Sequence, residues 1–181
     1  MNSSTRMAIQ RWKRPVASAR IAAAARLLLD ASTLCAIATV ARGGRAHLNT
    51  AYFAWSRDFD IVWMSEPGAK HSRNVRANST VSIVVYDSGQ IWGQPDRGIQ
   101  LFGSARETEG ADADDAEALY ATRFTGYQRS DFGAYRFYLF RPRRLKLFDE
   151  RELGAGTFVS ARIGGDRRLA WESTEIYGPS A

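Results

Sequence analysis

The segment "MSEPGAKHSRNVRAN", residues 64–78, concentrates basic side chains at one turn that is flanked by apolar segments. After Glu66-Pro67-Gly68 it carries four basic residues, Lys70, His71, Arg73 and Arg76. A helix starting here would direct free backbone N–H groups and its positive dipole end at an anion. Lys70 would add a point charge, whereas Arg76 lies beyond the first turn and is expected to contribute little. An anionic ligand, a partner surface and a solvated basic helix all remain open as explanations.

The other chemistry-bearing residues are few. The chain has two histidines, His47 and His71, and one cysteine, Cys35, without HxxxH or CxxC spacing, so a zinc site is not expected. Cys35 lies in the apolar run "TLCAIATV" and is interpreted as an inert core thiol. There is no GxSxG, GxGxxG or P-loop motif, and "RGGR" is interpreted as a hairpin turn. Anion binding is therefore the best-supported chemistry.

Composition indicates one folded domain with a basic leading segment. Of 181 residues, 45% are hydrophobic and 12% aromatic, which excludes a disordered chain. The net charge is +6, but no acid precedes Asp30 while several arginines do, so the rest of the chain is nearly neutral. This distribution argues against a nucleic-acid partner. No apolar run reaches about 18 residues, so no membrane partner is expected. A single cysteine fits a reducing compartment, and we expect a cytoplasmic protein.

The elements that must position these residues follow from the hydrophobic pattern. Residues 1–15 are predicted to be a disordered basic tail, and residues 16–181 a single domain. Helices are predicted over 17–30, from Pro67 onward and over 112–124. Strands are predicted over 33–41, 47–56, 61–65, 80–87, 99–108 and 135–149, with Gly103 marking a bulge or close backbone approach. Residues 150–181 have no clear pattern. Short connections between the strands predict a mainly β fold, a six- to seven-stranded antiparallel barrel with peripheral helices.

The order of several motifs resembles a known family. The hairpin "LCAIATVARGGRAHLNTAYFAW" is followed by "IVWMSEPGAKHSRNVRANSTVSIVVYD" and then by "IQLFGSARE". This succession, over about residues 20–150, is similar to the pyridoxamine 5'-phosphate oxidase-like split β-barrels that bind FMN. "ANSTVS" replaces the Asn-Pro that the family usually has before its next strand. Lys70-His71 likewise replaces the more usual Arg-Lys pair.

The resemblance implies a homodimer with FMN in clefts at the interface. It places the flavin phosphate at Lys70 and His71, beside Ser65 and Met64 at the preceding strand end. It places the flavin ring along the strand that carries His47, Asn49 and Thr50, with Gln100 reaching the ring. These assignments have alternatives. Asn49, Thr50 and Gln100 could be solvent-facing strand residues, and His47 could be either a ring contact or a solvent-facing strand residue. Aromatic residues are expected to leave apolar surface for the dimer, among them Trp63, Phe102 and Phe140.

One departure from the family bears on the substrate. Family members that oxidise the vitamin carry His and Asp near the C-terminus, where this chain has Ala170 and Trp171 within "GGDRRLAWESTE". The resemblance therefore implies an FMN-dependent oxidoreductase with an unassigned small-molecule substrate. No catalytic side chain is assigned, because a flavin itself carries the hydride. A deazaflavin-dependent reductase is one alternative, for which the arginine-rich N-terminal segment could supply a basic channel. A non-enzymatic flavin- or haem-binding protein is another.

Overall fold

The computed structural model describes residues 7–12 and 14–179 and is mainly β. Its strands are β1 (Met7–Trp12), β2 (Leu34–Val40), β3 (Ala46–Trp55), β4 (Ile61–Ser65), β5 (Thr80–Tyr86), β6 (Arg97–Glu107), β7 (Arg136–Asp149), β8 (Thr157–Ile163) and β9 (Leu169–Pro179). Its helices are α1 (Ser18–Ala31), α2 (Lys70–Ala77), α3 (Ala111–Arg123) and α4 (Glu150–Leu153), with a 3-10 turn at Arg129–Phe132.

Strands β2 to β7 form a closed antiparallel barrel. Their order is β7-β4-β3-β2-β5-β6, and β6 pairs again with β7 to close the ring. The hairpin between β2 and β3 turns through Gly43 and Gly44, whose φ angles of 82° and 78° favour glycine. The predicted antiparallel barrel with peripheral helices is confirmed, and the described part of the chain has six strands in the barrel and three outside it.

Strand β7 belongs to two parts of the sheet. Along one edge, residues 136–140 pair with β4 and residues 144–148 pair with β8. Pro142 lies between these two stretches and has no N–H to offer a ladder. The pairing with β6 shifts register between Phe102 and Gly103, opposite Pro142. The prediction of a bulge or close approach at Gly103 is therefore confirmed. We call the place around Pro142 where β4 and β8 diverge along β7 the fork.

Two segments differ from the sequence-based expectation. The unpatterned residues after 149 form α4 and the β8–β9 hairpin, and Met7–Trp12 pairs with β9 as β1. Residues 7–12 therefore do not belong to a disordered tail, whereas residues 1–6 and 13 lie outside the described residues. Backbone pairing on the free edge of β9 stabilises β1, and such pairing needs no apolar periodicity in the added strand.

The helices cover the barrel at different places. The apolar face predicted for α1 is confirmed, because Ile21, Ala24, Ala25 and Leu28 are buried in the main core. Helix α3 packs Ala116 and Tyr120 in a second, smaller cluster on β3, β4 and β7. Within residues 7–12 and 14–179, no helix is both long and apolar enough to cross a membrane.

Cys35 lies on the core side of β2 and is only 2% exposed. Burial raises the pKa of this thiol to about 12, so it stays protonated and unreactive at neutral pH. The interpretation of Cys35 as an inert core thiol is confirmed.

Candidate cofactor site

The basic segment begins with a tight turn and an uncapped helix. The Ala69 N–H donates to the Glu66 carbonyl over 3.0 Å, so the turn occupies residues 66–69 and α2 starts at Lys70 rather than at Pro67. Ala69 is the N-cap residue, and no side chain of the described residues caps this helix. The first-turn N–H groups of α2 are therefore available to an anion, with Lys70 exposed beside them.

The two arginines of α2 hold the turn itself. Arg73 donates from its guanidinium to the Gly68 carbonyl. Arg76 donates to the Pro67 carbonyl over 2.6 Å and to a Glu107 carboxylate oxygen over 2.7 Å. The expectation that Arg76 contributes little needs revision, because its side chain ties the turn to the end of β6. Of the four clustered basic residues, Lys70 and His71 remain for a ligand.

His71 is fixed by the end of β4. Its Nε2 lies 2.7 Å from the Ser65 hydroxyl, which also accepts a hydrogen bond from Ser72 over 3.3 Å. When the Ser65 hydroxyl donates to Nε2, the proton of a neutral His71 imidazole resides on Nδ1. The ring of His47 lies parallel to that of His71 with 6.5 Å between centroids. A neutral His71 held in this way can donate from Nδ1 to a bound anion.

Burial lowers the pKa of His71 below its ordinary value, and His47 lowers it further. A histidine with a lowered pKa in the folded protein stabilises the fold above the unfolded pKa, near 6.5, and this stability is lost as the pH falls. We expect the free energy of unfolding to decline below about pH 6.5, and to decline less in His71→Gln. Urea titrations between pH 5 and 8 measure this difference. Identical pH profiles for the two proteins would contradict it.

A further polar contact fixes α2 on the barrel, and sequence reasoning missed it. The Asn74 amide donates to the Thr39 hydroxyl over 3.0 Å, and both residues are buried. Thr39 in turn donates to the His47 carbonyl over 3.4 Å. The sequence signal was present: "KHSRNVRA" has too few apolar residues to build a helix face, so its buried side had to be polar.

The predicted ligand residues of β3 lie on opposite sides of the strand. Phe53 is buried in the main core, and His47 and Asn49 lie on the same side of the strand by alternation. Both are half-buried, and the side-chain oxygen of Asn49 is buried without a hydrogen-bond partner among the described residues. Thr50 is exposed on the opposite side of the strand. The structure therefore groups His47 with His71 and Ser65, and separates Thr50 from them.

Thr50 and Gln100 share one surface outside the barrel. Register places Thr50 beside Ala36, Ala36 beside Val84, and Val84 beside Gln100. Neighbouring positions on these strands expose large apolar side chains, namely Leu34, Leu48, Tyr52, Tyr86 and Phe102. We call this surface of β3, β2, β5 and β6 the outer face. Because monomers rarely expose such a contiguous patch, the outer face is suited to a partner.

Three predicted residues lie elsewhere. Trp63 and Phe140 are fully buried in the main core, so of the aromatics expected to leave apolar surface only Phe102 does so. Met64 packs against the cluster under α3, on the opposite side of β4 from Ser65. The structure thus brings Ser65, His71 and His47 together, with Lys70 next to them in the chain, and does not bring Met64 to this group.

Comparisons with known proteins agree with this architecture. Residues 21–149 match the family model described as pyridoxamine 5'-phosphate oxidase. A conserved hypothetical protein, Rv2991 from Mycobacterium tuberculosis, is 23% identical with a TM-score of 0.63, covering 80% of this chain and 92% of its own. A heme binding protein from Mycobacterium smegmatis is 13% identical with a TM-score of 0.60, covering 94% and 92%. An F420 reductase is 20% identical with a TM-score of 0.53, covering 66% and 94%. No curated protein sequence matches the chain.

Proposed function

Because the chain belongs to the pyridoxamine 5'-phosphate oxidase family, we propose that it is an FMN-dependent oxidoreductase acting on a small molecule. The observation that carries this proposal is the uncapped start of α2, with Lys70 and His71 beside it. A phosphate needs N–H donors and positive charge, and this helix start offers both.

The residues of the site have three roles: some bind the flavin phosphate, one orients His71, and two hold the turn. The first-turn amides of α2 and the Lys70 ammonium bind the flavin phosphate, and His71 donates to it from Nδ1. Ser65 orients the imidazole, while Arg73 and Arg76 hold the turn in position. The flavin, when bound, supplies the hydride chemistry, so no side chain of the chain has to transfer a proton to a reacting atom.

The outer face supplies the place for the flavin ring and for a second copy of the chain. Thr50 and Gln100 offer polar groups among apolar neighbours, which suits a ring with carbonyl and N–H groups on its edge. Pairing of two outer faces would bury the exposed Leu34, Leu48 and Tyr52 and enclose the ring. The proposed active form is therefore a homodimer.

Light scattering tests the dimer. The wild type is expected at twice the mass of one chain, and Leu48→Glu at the mass of one chain, because it places a carboxylate in an apolar interface. Ile91→Glu is the matched control, since Ile91 is also exposed and apolar but lies on the loop after β5. A wild-type monomer that binds FMN normally would contradict the proposed interface.

Anaerobic reduction tests the enzymatic part. The protein loaded with FMN is mixed with NADH or with NADPH, and the absorbance of the oxidised flavin is followed. Loss of this absorbance in a protein-dependent reaction supports the oxidoreductase assignment. A flavin that neither nucleotide nor a chemical panel of hydride donors reduces would favour a flavin carrier.

A deazaflavin reductase is the second candidate, supported by the similarity to the F420 reductase. The same helix start would suit the phosphate of that cofactor, so the mass of the cofactor released from purified protein distinguishes the two. We do not propose turnover of the vitamin phosphate. Ala170 offers no polar group, and the Trp171 indole N–H is already bonded to Thr174 over 3.0 Å.

A further inference from the structure

The fork holds a cavity that the proposed flavin site does not use. Residues 141–143 lie between the stretch of β7 that pairs with β4 and the stretch that pairs with β8. A cavity of about 660 Å³ opens there, bounded by the turn before β4, the fork and the β8–β9 turn. This volume is sufficient for a small metabolite.

Arginines dominate the wall of this cavity. Four of them line it, Arg141, Arg143, Arg162 and Arg167, against two carboxylates, Asp58 and Asp60. Taken together, these ionised side chains leave an excess of positive charge on the wall. An anion would offset this excess within a partly enclosed space, where attraction between charges is stronger than in bulk water.

Asp60 organises one side of the cavity. Its carboxylate accepts hydrogen bonds from Arg167 and, over 3.4 Å, from Arg141. Arg167 also donates to the Asp58 carbonyl over 2.6 Å. Arg167 has a φ of 63°, a left-handed conformation that is uncommon outside glycine. These bonds hold the Arg167 guanidinium at the wall despite that conformation.

The other two arginines are not neutralised in the same way. Arg162 is 68% exposed at its side chain and lies 4.0 Å from Glu172, whose carboxylate is closer to Arg144, at 2.8 Å. Arg143 is exposed, and no ion pair to it is found in residues 7–12 and 14–179. Two guanidinium groups at the wall can therefore bind an additional anion through paired N–H donors.

We propose that the fork cavity is a second ligand site, for a small polyanion bearing phosphate or carboxylate groups. Arg143 and Arg162 bind the ligand directly. Arg141 and Arg167, which are held by Asp60, supply the positive wall behind it. The proposal does not depend on the flavin, because none of these residues belongs to the α2 site.

Calorimetric titration of the full chain with inorganic pyrophosphate, and separately with citrate, tests the proposal at constant ionic strength. The double variant Arg143→Ala/Arg162→Ala is expected to weaken binding about 100-fold, since each lost charge-assisted contact weakens it roughly tenfold or more. The control is Arg42→Ala/Arg45→Ala, which removes the same charge from exposed positions at the β2–β3 turn. It should change affinity less than about threefold, because exposed distant charges are screened.

Saturable binding that only the fork variant loses supports the site, and the tighter of the two anions identifies phosphate or carboxylate as the recognised group. Absence of saturable binding to the wild type overturns the proposal, and so does an equal loss in both double variants. Thermal melting and light scattering of each variant confirm that fold and assembly are unchanged.

Discussion

Gly103→Ala is expected to destabilise the protein by about 3 kcal/mol or more, because the added methyl group has no space at the seam between β6 and β7. A Cβ at residue 103 would lie 2.1 Å from the Arg141 carbonyl oxygen and 2.7 Å from the Pro142 Cα. Both are backbone atoms of β7, so they cannot move aside as a side chain would. The β6–β7 seam closes the barrel, and forcing it apart disturbs the core on its inner side.

Urea unfolding followed by tryptophan fluorescence measures this effect, with Gly126→Ala as the control. A Cβ at Gly126 would meet no atom within 4 Å, so that variant should stay within about 1 kcal/mol of the wild type. If Gly103→Ala were as stable as Gly126→Ala, the close approach of β6 and β7 at the fork would be refuted.

Lys70→Ala is expected to weaken FMN binding by about 10- to 150-fold, which corresponds to one charge-assisted contact of roughly 1.5 to 3 kcal/mol. Lys70 is exposed at the start of α2, so we expect its ammonium to serve the phosphate rather than the fold. Riboflavin has no phosphate, so its affinity should hardly change. Arg45→Ala, which removes a charge from an exposed turn, is the matched control and should bind FMN like the wild type.

Fluorescence titration of each variant with FMN and with riboflavin gives the comparison. Arg76→Ala adds a second test, because loss of its bond to the Pro67 carbonyl should loosen the turn and weaken FMN binding as well. Equal losses of both flavins in Lys70→Ala would mean that Lys70 supports the fold. No loss of either would leave α2 as a solvated basic helix.

Much of the barrel could be predicted from sequence because its strands are continuous apolar segments joined by short turns. Gly43-Gly44 also predicted the turn between β2 and β3, and Gly103 predicted a bulge or close backbone approach in β6. The strands outside the barrel were missed for a physical reason: β8 buries polar residues such as Thr157 and Ser160, so it lacks clear alternation. Pairing of β1 with β9 depends on an edge formed by residues more than 150 positions away.

The candidate site could be predicted only in part. The sequence located the basic helix start, but neighbouring strand residues point to opposite sides, and the sequence did not separate Met64 from Ser65 or Asn49 from Thr50. Contacts across the barrel, such as Asn74 with Thr39, join residues 35 positions apart and leave no local pattern. For the same reason, Arg76 was expected to contribute little, although it binds Glu107.

Native mass spectrometry of the purified protein, with the mass of the released cofactor, tests whether a flavin phosphate binds at the start of α2. We expect a dimer that carries one FMN on each chain and that loses this FMN in Lys70→Ala. A protein that retains no flavin after reconstitution, or that takes up riboflavin as tightly as FMN, would contradict a phosphate site at the start of α2.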